Sequence, residues 1–446
     1  MGYTPHTEKD IAEMLGVIGK GSLDELFDSI PGEIIFRDDV DIPAAKSENE
    51  LRKFFRRLAG RNRVLENSYL GAGSYRHYIP SAVRSVISDG RFFTAYTPYQ
   101  AEASQGTLQS IFEYQTYIAS LTGMEVANAS LYDGATAVCE AAIMARAETR
   151  RSKILVSEAL HPEYVQTLQS YIGAENVSVI PAPDGTTSLE ALGKALDKDT
   201  AGVVLQNPNF FGCIETPAGA AEMARANKSV FIIATNEPYS LGVIRNPGEC
   251  GADIACGDAQ AFGSPTSFGG PSLGFMAVSR KLMRKIPGRL CGKTVDRDGN
   301  EGFVLTLQAR EQHIRREKSS SNICSNEALC ALAATVHLSL LGKGGFADTA
   351  RNNLDKAHYA AERISSIDGF SMRFKSPFFN EFAIRCLRES PEAIVERLAE
   401  RGIGAGVPLG RFFPGMKDCL LIAVTEMNTK EDIDEFADAL AEGGAK

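Results

Sequence analysis

Short apolar runs alternate with helical patterns between residues 107 and 280, and this alternation constrains the fold more than any other feature of the chain. The runs are residues 153–157, 177–180, 201–205, 229–234, 252–256 and 274–279. Most of them are continuously apolar and rich in β-branched residues, as expected of strands buried on both faces of a mainly parallel sheet. With helices between them, they predict a doubly wound α/β domain.

The regions on either side of this domain predict a helical arm and a smaller domain. Ser47, followed three residues later by Glu50, is a helix start signal, as is Ser22 followed by Glu25. Beyond residue 325 the pattern gives helices over 326–341 and 343–365, apolar runs at 380–385 and 419–424, and helices near 390–401 and after Thr429. We therefore predict a helical arm over 1–66, a large α/β domain over 67–325 and a small α+β domain over 326–446.

The composition disfavours several classes of function. With 44% hydrophobic and 23% charged residues among 446, the chain resembles an average globular protein. Its formal net charge of -9 gives no general attraction for nucleic acid or anionic lipid. No apolar run approaches the ~18 residues of a membrane span, and the N-terminus lacks the pattern of a signal peptide. We expect a cytoplasmic protein with neither a nucleic acid nor a membrane as partner.

Cysteine and histidine spacing gives no sign of a metal site. The nine cysteines are scattered and never spaced as Cys-x-x-Cys, and the six histidines form no His-x-x-x-His pattern. Neither a disulfide framework nor a bound metal is predicted.

A helix start after residue 133 is a candidate anion site. Gly134, Ala135 and Thr136 are small, so their backbone N–H groups could approach a phosphate, which the helix dipole would favour. However, Asp133 followed by Gly134 is also an ordinary cap and turn. The segment 251–275, rich in Gly, Ser and Pro, also has two interpretations: it can wrap a ligand or pack against a neighbouring subunit.

Four long segments, in this order along the chain, resemble the glycine decarboxylase P-protein family. They are TAYTPYQAEASQGTLQSIFEYQTYIASLTGM (94–124), ASLYDGATA (129–137), QAFGSPTSFGGPSLGF (260–275) and QAREQHIRREKSSSNICS (308–325). The resemblance runs almost end to end and is to subunit 1, which corresponds to the N-terminal half of the long single-chain form. It implies the type I fold of pyridoxal-phosphate (PLP) enzymes and a part in glycine cleavage, where PLP is the electron sink.

The resemblance also shows a missing catalytic group. The family's second half places a Schiff-base lysine in a His-Lys-Thr motif, and Ala261 stands at that lysine's position here. An alanine cannot form an imine. Lys281, Lys285 and Lys318 are the nearest alternatives, and their sequence contexts favour solvated side chains.

Other positions of the family's cofactor site are altered or weak. His161 follows a strand where this fold stacks an aromatic ring on the pyridine, although a lone histidine there is more often a structural residue. Asn236 and Glu237 lie where functional members have the aspartate that pairs with the pyridine nitrogen. The positions that we interpret as a relic cofactor site are Gly134, Ala135, Thr136, His161 and Asn236.

A proline-containing loop before a long helix is the candidate contribution to catalysis. Pro98 fixes a bend that would present Tyr96 and Tyr99 rigidly. This stretch resembles the family segment by which one subunit faces the PLP pocket of the other. Tyrosines are also common in interfaces that have no catalytic role. The residues predicted to contribute to a shared active site are Tyr96, Thr97, Tyr99, Gln100, Glu102 and Gln105.

The resemblance therefore implies a lysine-less alpha subunit. A homologous beta subunit would hold PLP, the assembly would be α2β2, and the aminomethyl group of glycine would pass to the lipoyl group of H-protein. Two alternatives remain open from the sequence: a self-sufficient PLP lyase with an unrecognised lysine, and a non-catalytic regulatory or scaffold protein.

Overall fold

The computed structural model describes residues 5–36, 38, 40–319 and 321–443. Two compact units divide the chain between Asn62 and Arg63. The first unit contains helices α1 (Glu8–Ile18) and α2 (Glu48–Ala59). The predicted start at Ser47 is confirmed, because its hydroxyl accepts from the Glu50 N–H and the Glu50 carboxylate accepts from the Ser47 N–H.

The predicted helix after Ser22 is wrong in length. Glu25 N–H reaches the Ser22 hydroxyl at 3.4 Å, but only one 3₁₀ turn forms, over Asp24–Phe27. Pro31 and Gly32 come within a few residues and prevent a longer helix.

The second unit alternates strands and helices along most of its length. Its helices are α3 (Ser81–Ile87), α4 (Gly90–Phe93), α5 (Gln105–Thr122), α6 (Gly134–Thr149), α7 (Pro162–Ile172), α8 (Leu189–Ala195), α9 (Pro217–Ala226), α10 (Gln312–Arg315), α11 (Ala328–Ser365), α12 (Pro391–Ala399) and α13 (Lys430–Glu442). Its strands are β1 (Asn67–Ser68), β2 (Val126–Ala127), β3 (Lys153–Ser157), β4 (Val177–Ile180), β5 (Thr200–Gln206), β6 (Val230–Thr235), β7 (Ile254–Asp258), β8 (Gly274–Val278), β9 (Leu290–Val295), β10 (Glu301–Thr306), β11 (Phe370–Met372), β12 (Glu381–Cys386), β13 (Ile403–Gly404), β14 (Val407–Pro408) and β15 (Cys419–Ala423).

The predicted large sheet is confirmed. Its order is β2-β8-β7-β6-β5-β3-β4, in which β4, β3, β5, β6 and β7 run parallel. β8 pairs antiparallel with both β7 and β2, so β8 alone runs in the opposite direction. Both faces are covered: Ile154 and Ile232 pack with α6 on one face, whereas Leu155 packs with α9 on the other. Burial on both faces explains why these strands read as continuous apolar runs.

Close packing of α6 on this sheet depends on small residues. A side chain at Gly202 in β5 would place its Cβ 3.1 Å from the Cβ of Ala145 in α6. The helix therefore sits directly against the strands, and its N-terminus is held at the carboxyl edge of the sheet.

A second, antiparallel sheet has the order β11-β12-β15-β14. It packs on α12, α13 and the second half of α11. α11 is broken at Gly342, whose φ of 60° and ψ of -178° are not helical, so the two predicted helices over 326–341 and 343–365 meet at one residue. The prediction of mixed strands and helices in this region is confirmed.

Among the described residues, α11 is the helix long and apolar enough to cross a membrane by length and composition alone. Its first half places Ala331, Ala334 and Leu338 in the apolar cluster of α5 and β8, and its second half packs on the small sheet. These contacts are those of a core helix, which passes the same length and composition test.

Candidate functional site

A cavity of about 360 Å³ lies at the carboxyl ends of β3 and β7, beside the N-terminus of α6. Its lining includes three carboxylates, Asp133, Glu163 and Asp258, and no lysine or arginine among the described residues. We call it the acidic cavity. It is lined by Ala72, Gly73, Ser74, Asp133, Ala135, His161, Glu163, Tyr164, Thr167, Asp258, Gln260, Thr266, Gly269, Gly270, Pro271 and Ser272.

The N-terminus of α6 is capped by carboxylates of the chain itself. Asp133 Oδ1 accepts from the Thr136 N–H at 2.7 Å, and from the Thr136 hydroxyl at 2.9 Å. Asp258 Oδ2 accepts from the Gly134 N–H at 3.0 Å. Two donors that were predicted to bind phosphate are therefore already used, and both partners are acids.

Asp258 ends β7 and is buried, at the wall of the acidic cavity. Besides Gly134, its carboxylate accepts from the Gln260 N–H at 2.8 Å and from the Ser272 hydroxyl at 2.6 Å. Burial raises the pKa of Asp258 to about 6 even though these hydrogen bonds favour its charged form. The carboxylate is thus mostly ionised at neutral pH.

His161 lines the acidic cavity as a neutral, fixed ring. Its Nδ1 accepts from the Glu163 N–H at 3.2 Å, so its Nε2–H donates to the Ala72 carbonyl at 2.9 Å. Burial lowers the pKa of His161, in keeping with this neutral form. The ring already stacks on Tyr164, at 4.7 Å between centroids.

Gly73 packs closely on the same imidazole. A Cβ on Gly73, whose φ is 95°, would lie 2.8 Å from His161 Cδ2. The contacts of His161 are therefore those of a structural residue, and a role in stacking a pyridine stays a prediction.

Ala261 turns away from the acidic cavity. It is 3% exposed and belongs to an apolar cluster that includes Tyr239, Phe262 and Phe275. The alternative lysines are engaged elsewhere or solvated: Lys281 and Lys285 bind Glu148 at 3.2 and 2.6 Å. Lys318 is exposed.

Asn236 and Glu237, which lie where the pyridine-nitrogen partner is expected, have different surroundings. Asn236 is buried, and neither polar atom of its side chain has a hydrogen-bond partner among the described residues. Glu237 points instead to His77, whose Nε2 lies 3.0 Å from its Oε2. The other nitrogen of His77 lies 2.8 Å from Glu426 Oε2.

This Glu237–His77–Glu426 triad ties three distant parts of the second unit together. Burial alone would lower the pKa of His77, but the two carboxylates raise it to about 10, so the ring is a cation. The Glu426 carboxylate also accepts from the Tyr78 N–H at 2.7 Å. The sequence pattern does not reveal the triad, because the partners of His77 lie 160 and 349 residues away along the chain.

PLP can be tested against these residues. A type I cofactor site needs an imine-forming lysine, free donors for the phosphate, an open ring face and an acid for the pyridine nitrogen. Here residue 261 is an alanine, the donors at Gly134 and Thr136 face carboxylates, His161 is stacked on Tyr164, and Glu237 binds His77. The residues of this chain do not fit the cofactor.

The predicted tyrosine loop, residues 96–105, meets the motif at 308–325. The Tyr96 hydroxyl lies 3.3 Å from the Ser325 hydroxyl, and the Tyr99 ring lies 5.2 Å from the Arg289 guanidinium carbon. Tyr96 is 75% exposed and Tyr99 is 59% exposed. Both phenols therefore stand at the surface of this chain.

A buried ion pair supports Tyr99 from below. Arg289, 2% exposed, donates to Glu311 Oε2 and to the Cys324 carbonyl, each at 3.0 Å. The Arg289 Nε and the Glu311 Oε1 have no partner among the described residues. Sequence analysis missed Arg289, because a single arginine after an apolar turn carries no signal of its own.

The remaining predicted residues of the loop differ in their surroundings. Gln100 and Glu102 are exposed, whereas Thr97 is half-buried. The Gln105 amide exchanges hydrogen bonds of 2.9 Å with both backbone groups of Phe303, which fixes the β9–β10 hairpin against α5. Gln105 therefore holds the β9–β10 hairpin in place, and its amide is not free to bind a ligand.

Solved structures identify the fold. The chain matches a glycine decarboxylase (P-protein) of the glycine cleavage system, solved in inhibitor-bound form, with a TM-score of 0.89 and 42% identity over 99% of this chain and 100% of that one. A Burkholderia pseudomallei sphingosine-1-phosphate lyase shares the fold at 15% identity, with a TM-score of 0.67 and coverage of 93% and 94%. The sheet order and the cavity at its carboxyl edge define the class of fold type I PLP-dependent enzymes.

Sequence comparison narrows this class. The family model for the glycine cleavage system P-protein matches residues 1–440. The chain is 50% identical over 446 residues to a "probable glycine dehydrogenase (decarboxylating) subunit 1" of Desulfitobacterium hafniense, covering 99% of this chain and all of the relative. A relative of the same name from Listeria monocytogenes is 52% identical, with 100% and 99% covered. The chain belongs to the glycine cleavage system P-protein family, and within it to the alpha subunits, subunit 1 of this oxidoreductase. The family resemblance of the four sequence segments is confirmed.

Proposed function

We propose that this chain is the cofactor-free half of a two-chain glycine decarboxylase. A homologous beta subunit holds PLP through its own lysine, and this chain is inactive alone. Together they decarboxylate glycine and transfer the aminomethyl group to the lipoyl group of H-protein. The cofactor supplies the electron sink, and the protein supplies orientation.

The position of Ala261 carries this proposal. It lies among aromatic rings, and the acidic cavity has no lysine among its described lining residues. A self-sufficient lyase would need an amine there. The full-length match to subunit 1 chains supports a working subunit over a scaffold protein.

Our proposal for this chain's catalytic contribution is the tyrosine loop. Tyr96, Thr97, Tyr99, Gln100 and Glu102 would face the partner's cofactor pocket, where phenols and amides can orient the glycine carboxylate or the lipoyl arm. Support comes from the exposure of both phenols and from the rigid base that Arg289 provides beneath Tyr99. Gln105 would contribute by holding the hairpin in place.

The assembly and organisation are part of the same proposal. Closed two-fold symmetry is the commonest solution for paired subunits, which favours α2β2. We retain the division into an arm (1–66), a large domain (67–325) and a small domain (326–446), and we propose a cytoplasmic location.

Reconstitution tests the proposed function. This chain, the homologous lysine-bearing chain, and their mixture are assayed for exchange of the glycine carboxylate with labelled bicarbonate in the presence of H-protein. We expect exchange in the mixture alone. Each sample is also reduced with borohydride and digested, and we expect the cofactor adduct only on peptides of the partner.

Two results would contradict the proposal. Exchange by this chain alone would revive the self-sufficient lyase, especially with an adduct on Lys281, Lys285 or Lys318. A partner chain that reaches full activity without this chain would favour a regulatory or scaffold role.

A further inference from the structure

The acidic cavity has donors suited to an anion, but its charged side chains are carboxylates. At the N-terminus of α6, the Gly134 N–H faces Asp258 Oδ2 at 3.0 Å. The Ser272 hydroxyl, a second group suited to phosphate, donates to the same oxygen at 2.6 Å. The groups that could receive a phosphate are thus gathered around one carboxylate.

The surrounding charge opposes any further anion. Asp133 and Glu163 also line the cavity, and its described lining has no lysine or arginine to offset them. A phosphate dianion placed there would meet three carboxylates, and it would have to displace one of them, Asp258, from a buried position.

Space is restricted as well. A Cβ built on Gly134 would lie 2.0 Å from the Tyr164 hydroxyl oxygen and 3.1 Å from the Asp258 Cβ. The first turn of α6 is therefore in contact with both side chains. Asp258 cannot be moved aside without opening this packing.

We propose that the Asp258 carboxylate occupies the phosphate position of the ancestral cofactor site and thereby keeps phosphate-bearing cofactors out of this chain. The inference rests on the proposed function, in which PLP belongs to the partner. It also explains specificity: in an assembly of two similar chains, PLP binds the partner's site because the Asp258 carboxylate already occupies the phosphate position in this chain.

Phosphate-dependent stability tests this proposal on the full-length chain. Asp258→Asn removes the charge with little change in shape, and Asp258→Gly also removes the bulk. The matched control is Glu215→Gln, because Glu215 is likewise a buried carboxylate that accepts from a backbone N–H, that of Thr187, but does not line the cavity. The probes are inorganic phosphate, PLP and pyridoxal, which lacks the phosphate.

We expect the unfolding midpoint of Asp258→Gly to rise by about 2 °C or more at saturating phosphate or PLP, but not with pyridoxal. Asp258→Asn removes the charge but still fills the position, so its rise should be smaller. The parental chain and Glu215→Gln should not gain this increment. A small rise of the unfolding midpoint in the parental chain and all three variants would come from binding elsewhere on the surface, and it is subtracted from the rise of each Asp258 variant.

Two outcomes would overturn the inference. Folded Asp258 variants that gain no phosphate response would show that another feature excludes the anion. Phosphate found at the Gly134 N–H in crystals of the parental chain, soaked at high concentration, would show that Asp258 does not exclude it, and this measurement needs no variant to fold. Neither result depends on the partner, whereas a borohydride-stable adduct on the parental chain would contradict the proposed function itself.

Discussion

The acidic cavity and the tyrosine loop are both polar, but their polar groups are used differently. In the cavity, Asp258 binds three donors of its own chain. At the loop, the Tyr96 and Tyr99 phenols are exposed, and the Tyr99 ring lies over the buried Arg289 guanidinium. Donors that are satisfied within the chain are not free for a ligand, whereas exposed phenols are accessible to a second chain.

The largest expected effect comes from placing the missing lysine back at residue 261. Ala261→Lys should lower the free energy of unfolding by about 5 kcal/mol or more, or abolish folding. The longer side chain overpacks the aromatic cluster and buries an ammonium without a partner. Urea unfolding measures the loss, and bicarbonate exchange should stay absent.

Ala261→Met is the matched control, since it has similar length without charge. It should cost about 1–3 kcal/mol. If Ala261→Lys were as stable as Ala261→Met, residue 261 would face the cavity and not the apolar cluster, and the contrast between the two regions would fail.

The triad gives the next largest effect. His77→Ala should destabilise the chain by about 3–5 kcal/mol, because Glu237 and Glu426 would be left as buried carboxylates without their cation. Urea unfolding at neutral pH measures it. His77→Gln keeps much of the bulk and hydrogen bonding but not the charge. A loss close to that of His77→Ala would show that the charge is what His77 supplies, whereas parental stability in His77→Gln would mean that the charge contributes nothing.

The same triad predicts a pH dependence. The folded pKa of His77, about 10, lies above the ordinary value of 6.5, so its stabilisation is complete below about pH 6.5 and is lost as pH rises through 10. Unfolding of the parental chain and of His77→Gln is compared from pH 7 to 10.5. The gap between them should narrow with pH, and a constant gap would contradict a charged His77.

The smallest expected effect belongs to the tyrosine loop and changes rate, not stability. With the partner present, Tyr96→Phe or Tyr99→Phe should lower the exchange rate about ten-fold, or about 1.4 kcal/mol, while assembly is unaffected. Tyr171→Phe, which removes an exposed hydroxyl from α7, is the matched control. Parental rates in both loop variants would make the loop a packing surface only.

The large sheet could be predicted because burial on both faces leaves a local mark. The predicted run 153–157 coincides with β3, and Gly342 is visible in the sequence as a break between two helical patterns. The helix after Ser22 was over-predicted, since a cap signal carries no information about the residues beyond the first turn.

The polar contacts of Asp258 and His77 could not be predicted from the sequence pattern. The predicted strand 252–256 lies two residues before the observed Ile254–Asp258, so the sequence pattern places Asp258 in a loop, whereas it is the last residue of a buried strand. Its contact with Gly134 spans 124 residues, and that of His77 with Glu426 spans 349. Pairings of this kind depend on the tertiary structure, and sequence periodicity does not encode them.

The burial of Ala261 also bears on how such a chain can evolve. To regain its own cofactor, the chain would need a lysine, room among the aromatic rings around residue 261, and removal of the Asp258 carboxylate from the helix end. Each change made alone costs stability and brings no activity, so point mutation offers no path along which every step is neutral or better. The division of labour between the two chains is then effectively irreversible, and their genes should be gained and lost together across genomes.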